Sequence, residues 1–175
     1  SCEGVTQGDP LSMVLYGVAL VPLAKHLRES VPGVLQAWYA DDSAMAGPAD
    51  GIARAMHMLA RLGPMRGYYP EPQKSILVAK TEDTSKAKEI LSEFDFKYTE
   101  GARYIGGFIG SDASLQLFLK EKVDSWVHAV GVFARCARRY PQTAYAGLSK
   151  SLQMEWSYLL RVVPGASEAF GPVED

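Results

Sequence analysis

Apolar positions change rhythm several times along this chain, and each rhythm predicts an element. Residues 11–20 are largely apolar and follow Asp9-Pro10, with Asp suited to the N-cap and Pro to the first helical position, which predicts a helix. Pro22 is expected to kink that helix or to open a second short one reaching about Arg28. Pro32-Gly33 marks a turn. Residues 34–40, with Trp38 and Tyr39, read as a strand. Asp41-Asp42 reads as a turn, and residues 43–46 as a return strand closed by Gly47-Pro48. The result is a β-hairpin with two carboxylates at its tip.

Ile52, Ala55, Met56, Leu59 and Leu62 have helical spacing, and Gly63-Pro64 ends that helix. Residues 68–73 hold two prolines and form a loop, and residues 76–79 a strand. Asp83 or Thr84 can cap a helix through about Phe94. Residues 103–110 are a glycine-broken β segment, read as a hairpin.

From Ser114 onward the period is helical. Leu119, Val123, Trp126, Val127, Val130, Phe133, Ala134 and Ala137 form one apolar stripe. Pro141 restarts the chain, and Tyr145, Leu148, Leu152, Trp156, Leu159 and Val163 form a second. The expected class is therefore α+β, with an α-helical hairpin after the mixed part and a boundary near Asp112.

Composition narrows the picture. The 175 residues and 47% hydrophobic content suit one compact domain, or a domain with a helical appendage. Two cysteines, Cys2 and Cys136, argue against a disulfide framework and a cysteine-rich zinc site. The apolar runs are too interrupted for a membrane span. The first residues show no initiator Met and no signal pattern, so a piece of a longer protein is expected. A net charge of -2 gives no global basic field, but charge is unevenly spread. Residues 1–50 carry two basic against six acidic side chains, and residues 120–161 seven basic against three acidic. The front suits divalent cations and the rear suits phosphates, although two ordinary solvated surfaces explain the same counts.

The candidate chemistry starts at Asp41-Asp42. Two like charges in a dry setting are costly, and a divalent cation resolves the conflict. A solvent-exposed Asp-Asp turn is the plainer alternative. Upstream, residues 4–12 form a polar, glycine-containing loop entering an apolar helix. Such a loop offers backbone amides, the Gln7 side chain and close approach at Gly8 to a flat or anionic ligand.

Taken in order, these segments resemble the reverse transcriptase family, particularly retroelement enzymes of the non-LTR retrotransposon type. Gln7-Gly8-Asp9-Pro10-Leu11-Ser12 resembles motif B, and Tyr39-Ala40-Asp41-Asp42 the catalytic motif C hairpin. Gly67-Tyr68-Tyr69 running to Lys74-Ser75 resembles motif D, and residues 104–110 motif E, the primer grip. The resemblance covers roughly residues 3–112. It implies a partial polymerase palm over residues 1–112, an antiparallel, ferredoxin-like sheet with helices, and a helical thumb-like segment over residues 113–175.

The same resemblance implies the roles. Asp41 and Asp42 would be catalytic and hold Mg²⁺ or Mn²⁺. Tyr39 would pack near the primer end, Gln7 and Gly8 would line the template–nucleotide pocket, and Gly106 and Gly107 would belong to the primer grip. Lys74 would serve the departing pyrophosphate, unless it is a solvated loop lysine. One further aspartate, on motif A, is expected in an N-terminal region ahead of Gln7 together with the fingers, so the isolated fragment is expected to be inactive. Pro70 and Pro72 flank Glu71 where many relatives carry Asn. The implied partners are an RNA template, a DNA primer and deoxynucleotides, with no membrane. The implied place is inside a cell, the nucleus for a eukaryotic retroelement.

Arg135, Arg138 and Arg139 are spaced i, i+3, i+4, which puts them on one helical face that can track the backbone of a duplex or simply solubilise the helix. Trp126 and Trp156 lie on the apolar stripes and are expected in the core. His26, His57 and His128 have no ligand-like spacing, and Cys136 is expected to be a small buried apolar residue. Two other readings stand beside the reverse transcriptase: an RNA-directed RNA polymerase palm, and an inactive or domesticated fragment that binds nucleic acid or scaffolds a partner.

Overall fold

Helix α1 (Ser12–Ser30) runs without interruption through Pro22 in the computed structural model, which describes residues 10–39 and 42–174. The sequence predicts a break there. Pro22 removes only the bond to Val18, and Val18 is 65% exposed, where solvent can take its place. The helix also starts later than expected, with Leu11 at the cap position and no side-chain cap. Asp9, the expected cap, lies outside the described residues.

Strands β1 (Leu35–Tyr39) and β2 (Asp42–Ala46) form the expected antiparallel hairpin. Helix α2 (Ala49–Leu62) follows Pro48 directly. Leu20, Leu23 and Leu27 of α1 and Ala55, Met56 and Leu59 of α2 make one core, with Trp38 and Met45 from the hairpin packed against it. The spacing of those leucines is that of one helical stripe, so α1 buries one side only.

Strand β3 (Ile76–Val78) and helix α3 (Thr84–Ile90) come next. The helix expected to reach Phe94 stops at Ile90. Leu91 leaves helical geometry, a 3-10 turn covers Ser92–Phe94, and Asp95 is left-handed at φ 50°. A short strand β4 (Lys97–Thr99) follows that the sequence pattern does not signal. Strands β5 (Gly101–Tyr104) and β6 (Gly107–Gly110) pair antiparallel as the second hairpin.

Helix α4 (Asp112–Ala137) begins at Ser111, whose hydroxyl accepts the Ser114 amide as an N-cap. Helix α5 (Pro141–Gly147) opens on Pro141 at its first turn, as expected. A π-helical turn, Leu148–Leu152, then joins it to α6 (Gln153–Val162), and α7 (Gly171–Glu174) closes the chain. The π turn takes up an extra residue and shifts the phase of the second stripe. Leu152 and Leu159 are buried, while Tyr145 is 71% exposed.

The second core joins Phe118, Leu119, Val123, Trp126, Leu152, Leu159, Val163 and Phe170. Trp126 is 2% exposed, edge-on to Trp156 and tilted against Phe170 at 5.2 Å. Trp126 is thus a core residue, as its stripe requires, whereas Trp156 is half-buried and packs against that core.

The chain divides into two compact units, Ser1–Leu77 with Glu82–Lys97, and Val78–Thr81 with Tyr98–Asp175. Compact packing therefore groups residues differently from the motif boundary at Asp112. The β5–β6 hairpin sits with the helices because Phe108 stacks on Phe118 at 4.9 Å. The class is mixed α+β, and no helix among the described residues is long and apolar enough to cross a membrane.

Candidate functional site

The register of the first hairpin puts Tyr39 directly opposite Asp42, with Ala37 opposite Ala44 and Leu35 opposite Ala46. Paired residues share a face, and successive residues alternate. Tyr39, Asp42 and Leu35 therefore occupy the outer face, where Tyr39 is 63% and Leu35 76% exposed. Trp38, Ser43 and Met45 occupy the other. Ala40 and Asp41 lie outside the described residues, as do Gln7 and Gly8. Asp42 makes no hydrogen bond or ion pair among the described residues, and no group of three potential metal-ligating side chains occurs among them.

The inner face ties the hairpin to the segment that carries Gly67-Tyr68-Tyr69. The Ser43 and Tyr68 hydroxyls are 2.7 Å apart, and the Tyr68 ring meets Trp38 edge-on at 5.3 Å. Two segments that the sequence singles out separately are thereby joined beside the carboxylate tip. Gly67 is left-handed at φ 72°, which turns the chain into this position.

Lys74 sits in a 3-10 turn (Pro72–Lys74) and pairs with Glu71 at 2.5 Å. Both side chains line an open cleft of about 430 Å³ with Pro70, Gln73, Glu93 and Asp95. Glu93 also accepts from the His57 imidazole Nε2 at 3.0 Å, so His57 is a surface partner of a carboxylate.

In the second unit, the β5–β6 hairpin closes with Ile105 at φ 46° and Gly106 at φ 77° between paired Tyr104 and Gly107. Both left-handed residues fit a two-residue primed turn, which suits Gly106 and strains the β-branched Ile105. The Tyr158 hydroxyl donates to the Ile105 carbonyl and its ring lies against Gly106. A Cβ at Gly106 would come within 2.8 Å of that ring. Sequence reasoning finds the turn but misses Tyr158, which stands 53 residues away with no pattern to link it.

It misses the Lys122–Glu155 pair for the same reason. These groups meet at 2.5 Å. The Lys122 bond lowers the Glu155 pKa below its ordinary value, and burial opposes it. The Trp126 indole N–H and the charge of Arg103 act in the same lowering direction.

The three arginines gather at the end of α4. Arg135 is in its last turn, Arg138 is the C-cap and Arg139 follows. The helix ends before two of them, so only part of the expected face is helical. The Arg139 and Tyr140 amides both donate to the Cys136 carbonyl, at 3.1 and 2.8 Å, which keeps the trio in one tight turn. All three are exposed and none forms an ion pair among the described residues. Cys136 beneath them is half-buried rather than fully so.

Comparison with protein-family models, curated proteins and solved structures finds no match to this chain. The fold and geometry thus define a mixed α+β protein of two compact units, with an exposed carboxylate on a hairpin in one and an exposed arginine cluster in the other.

Proposed function

We propose that this chain is the palm and thumb portion of an RNA-directed DNA polymerase of the retroelement type. The observation that carries the reading is the hairpin itself. Tyr39 opposes Asp42 on an exposed face, and the inner face is tied by Ser43 to Tyr68 of the next motif.

The Asp42 carboxylate has no partner among the described residues, and with Asp41 it supplies the hard donors that Mg²⁺ or Mn²⁺ accepts. Such cations, when bound, stabilise the attacking and leaving oxygens of an in-line phosphoryl displacement. Tyr39 packs beside the primer end on the same hairpin face as Asp42. Gln7 and Gly8 line the template–nucleotide pocket. Lys74 exchanges Glu71 for the departing pyrophosphate and supplies a proton to it. Gly106 and Gly107 let a primer strand approach the second hairpin closely. The arginine cluster runs along the phosphate backbone and reads no sequence.

The test is primer extension on an RNA template by the polypeptide that joins this chain to a segment bearing the motif A aspartate. Asp41→Asn should abolish extension and leave duplex binding nearly intact. Extension by that variant at the wild-type rate overturns the motif C reading. A wild-type polypeptide that binds duplex but never extends favours a non-catalytic nucleic-acid binder.

A further inference from the structure

Between Asp124 and Glu155 the chain carries no acidic residue, yet it carries Arg135, Arg138, Arg139 and Lys150. The arginines cluster where α4 gives way to α5, and no carboxylate among the described residues pairs with them. A surface with that local excess of cations suits an anion-rich partner.

Two exposed aromatic rings follow the arginines in the chain within six residues. Tyr140 links α4 to α5 and is 53% exposed, and Tyr145 on α5 is 71% exposed. Neither has a burial role, since the core of this unit is filled by Trp126, Phe118 and Phe170. The Arg139 guanidinium lies 5.4 Å from the centre of the Tyr140 ring, a cation–π pair in the open. In the π turn that follows α5, the Ser149 hydroxyl donates to the Tyr145 carbonyl at 2.7 Å.

Phosphates alone ask for cations. Rings presented among cations suit a ligand with both a charged backbone and free π faces. In a duplex the bases are stacked on one another and their faces are closed. In a single strand they are open, and stacking on aromatic and guanidinium planes tolerates any sequence.

We infer that the α4–α5 corner is a stacking platform for unpaired nucleotides, in which Tyr140 and Tyr145 take bases of a single strand and Arg135, Arg138 and Arg139 hold its phosphates. This rests on the reading that the arginine cluster meets nucleic acid. It goes further in assigning the corner to a single strand and in giving the tyrosines a role.

The experiment is fluorescence anisotropy of the full chain with a labelled 12-nucleotide oligo(dT) and with the matching duplex. Tyr140→Ala and Tyr145→Ala should each weaken single-strand binding about tenfold while duplex binding changes little, and Tyr→Phe at both positions should restore it, because the ring rather than the hydroxyl stacks. Equal loss for both oligonucleotides, or no loss in either alanine variant, overturns the stacking platform. If the alanine variants bind normally but Arg135→Gln with Arg138→Gln and Arg139→Gln binds weakly, the arginine reading stands and this inference falls. If the wild-type chain binds neither oligonucleotide, both fall. Circular dichroism of each variant confirms that it folds.

Discussion

Tyr39 and Asp42 stand opposite each other as the last pair of an antiparallel hairpin, so a phenol and a carboxylate share one exposed face. The opposite face of the same hairpin is packed on α1 and α2 through Trp38 and Met45. The inner face is fixed by that packing, while Asp42 stands on the open outer face.

Paramagnetic Mn²⁺ should therefore broaden amide signals at residue 39 and residues 42–43 before any others. Because only part of a ligand set stands on this hairpin, binding should be weak, and Asp42→Asn should weaken it further. NMR titration checks this, and broadening centred on the acidic cleft near Glu71 and Glu93 would move the site there.

Glu155 gives a pH prediction. Lys122 holds the carboxyl below its ordinary value of 4.5 in the folded chain. The contribution to stability is present above the unfolded pKa and is lost as pH falls through the lower folded value. Below about pH 4.5 the wild type should lose stability that Glu155→Gln lacks throughout. Side chains partly open to solvent keep the effect small. Urea denaturation of both proteins across pH 3–6 measures it.

Gly106→Ala should cost more than Gly67→Ala. Both glycines are left-handed, at φ 77° and 72°. That alone costs about 1–2 kcal/mol for a side chain. At Gly67 a Cβ meets nothing within 4 Å, whereas at Gly106 it presses on the tethered Tyr158 ring. Overpacking adds roughly 1–3 kcal/mol there. Adding Tyr158→Ala should recover the overpacking part, as a double-mutant cycle in denaturant shows.

Trp126→Ala should destabilise the second unit by about 3–5 kcal/mol, the usual range for a buried aromatic. Trp126 is 2% exposed and contacts both Trp156 and Phe170. Thermal melting followed by near-ultraviolet circular dichroism reads the loss. A change under 1 kcal/mol would mean that the ring is not at the centre of that core.

Much of the local architecture was legible in the residues. The alternation through Trp38 and Tyr39, the Asp-Asp step and the Gly47-Pro48 stop give the first hairpin within a residue at each end. Pro141 marks the start of α5, and the Leu119–Val123–Trp126 stripe marks the buried side of α4. Pro22 misled, because a proline whose lost bond falls on the solvent side of a half-buried helix does not have to break it. The second stripe misled at Tyr145, because a π turn shifts helical phase without changing composition.

The sequence by itself determined which residues turn, which pair as neighbours and where charge accumulates, since these depend on spacings of two to four residues and on side-chain type. Tertiary structure alone decided that Ser43 meets Tyr68 across 25 residues, that Lys122 meets Glu155 across 33, and that Tyr158 reaches the Ile105 carbonyl across 53. No periodicity connects such positions. They meet because burying two apolar cores brings their elements together, and the polar contacts form between whatever side chains that packing leaves within reach.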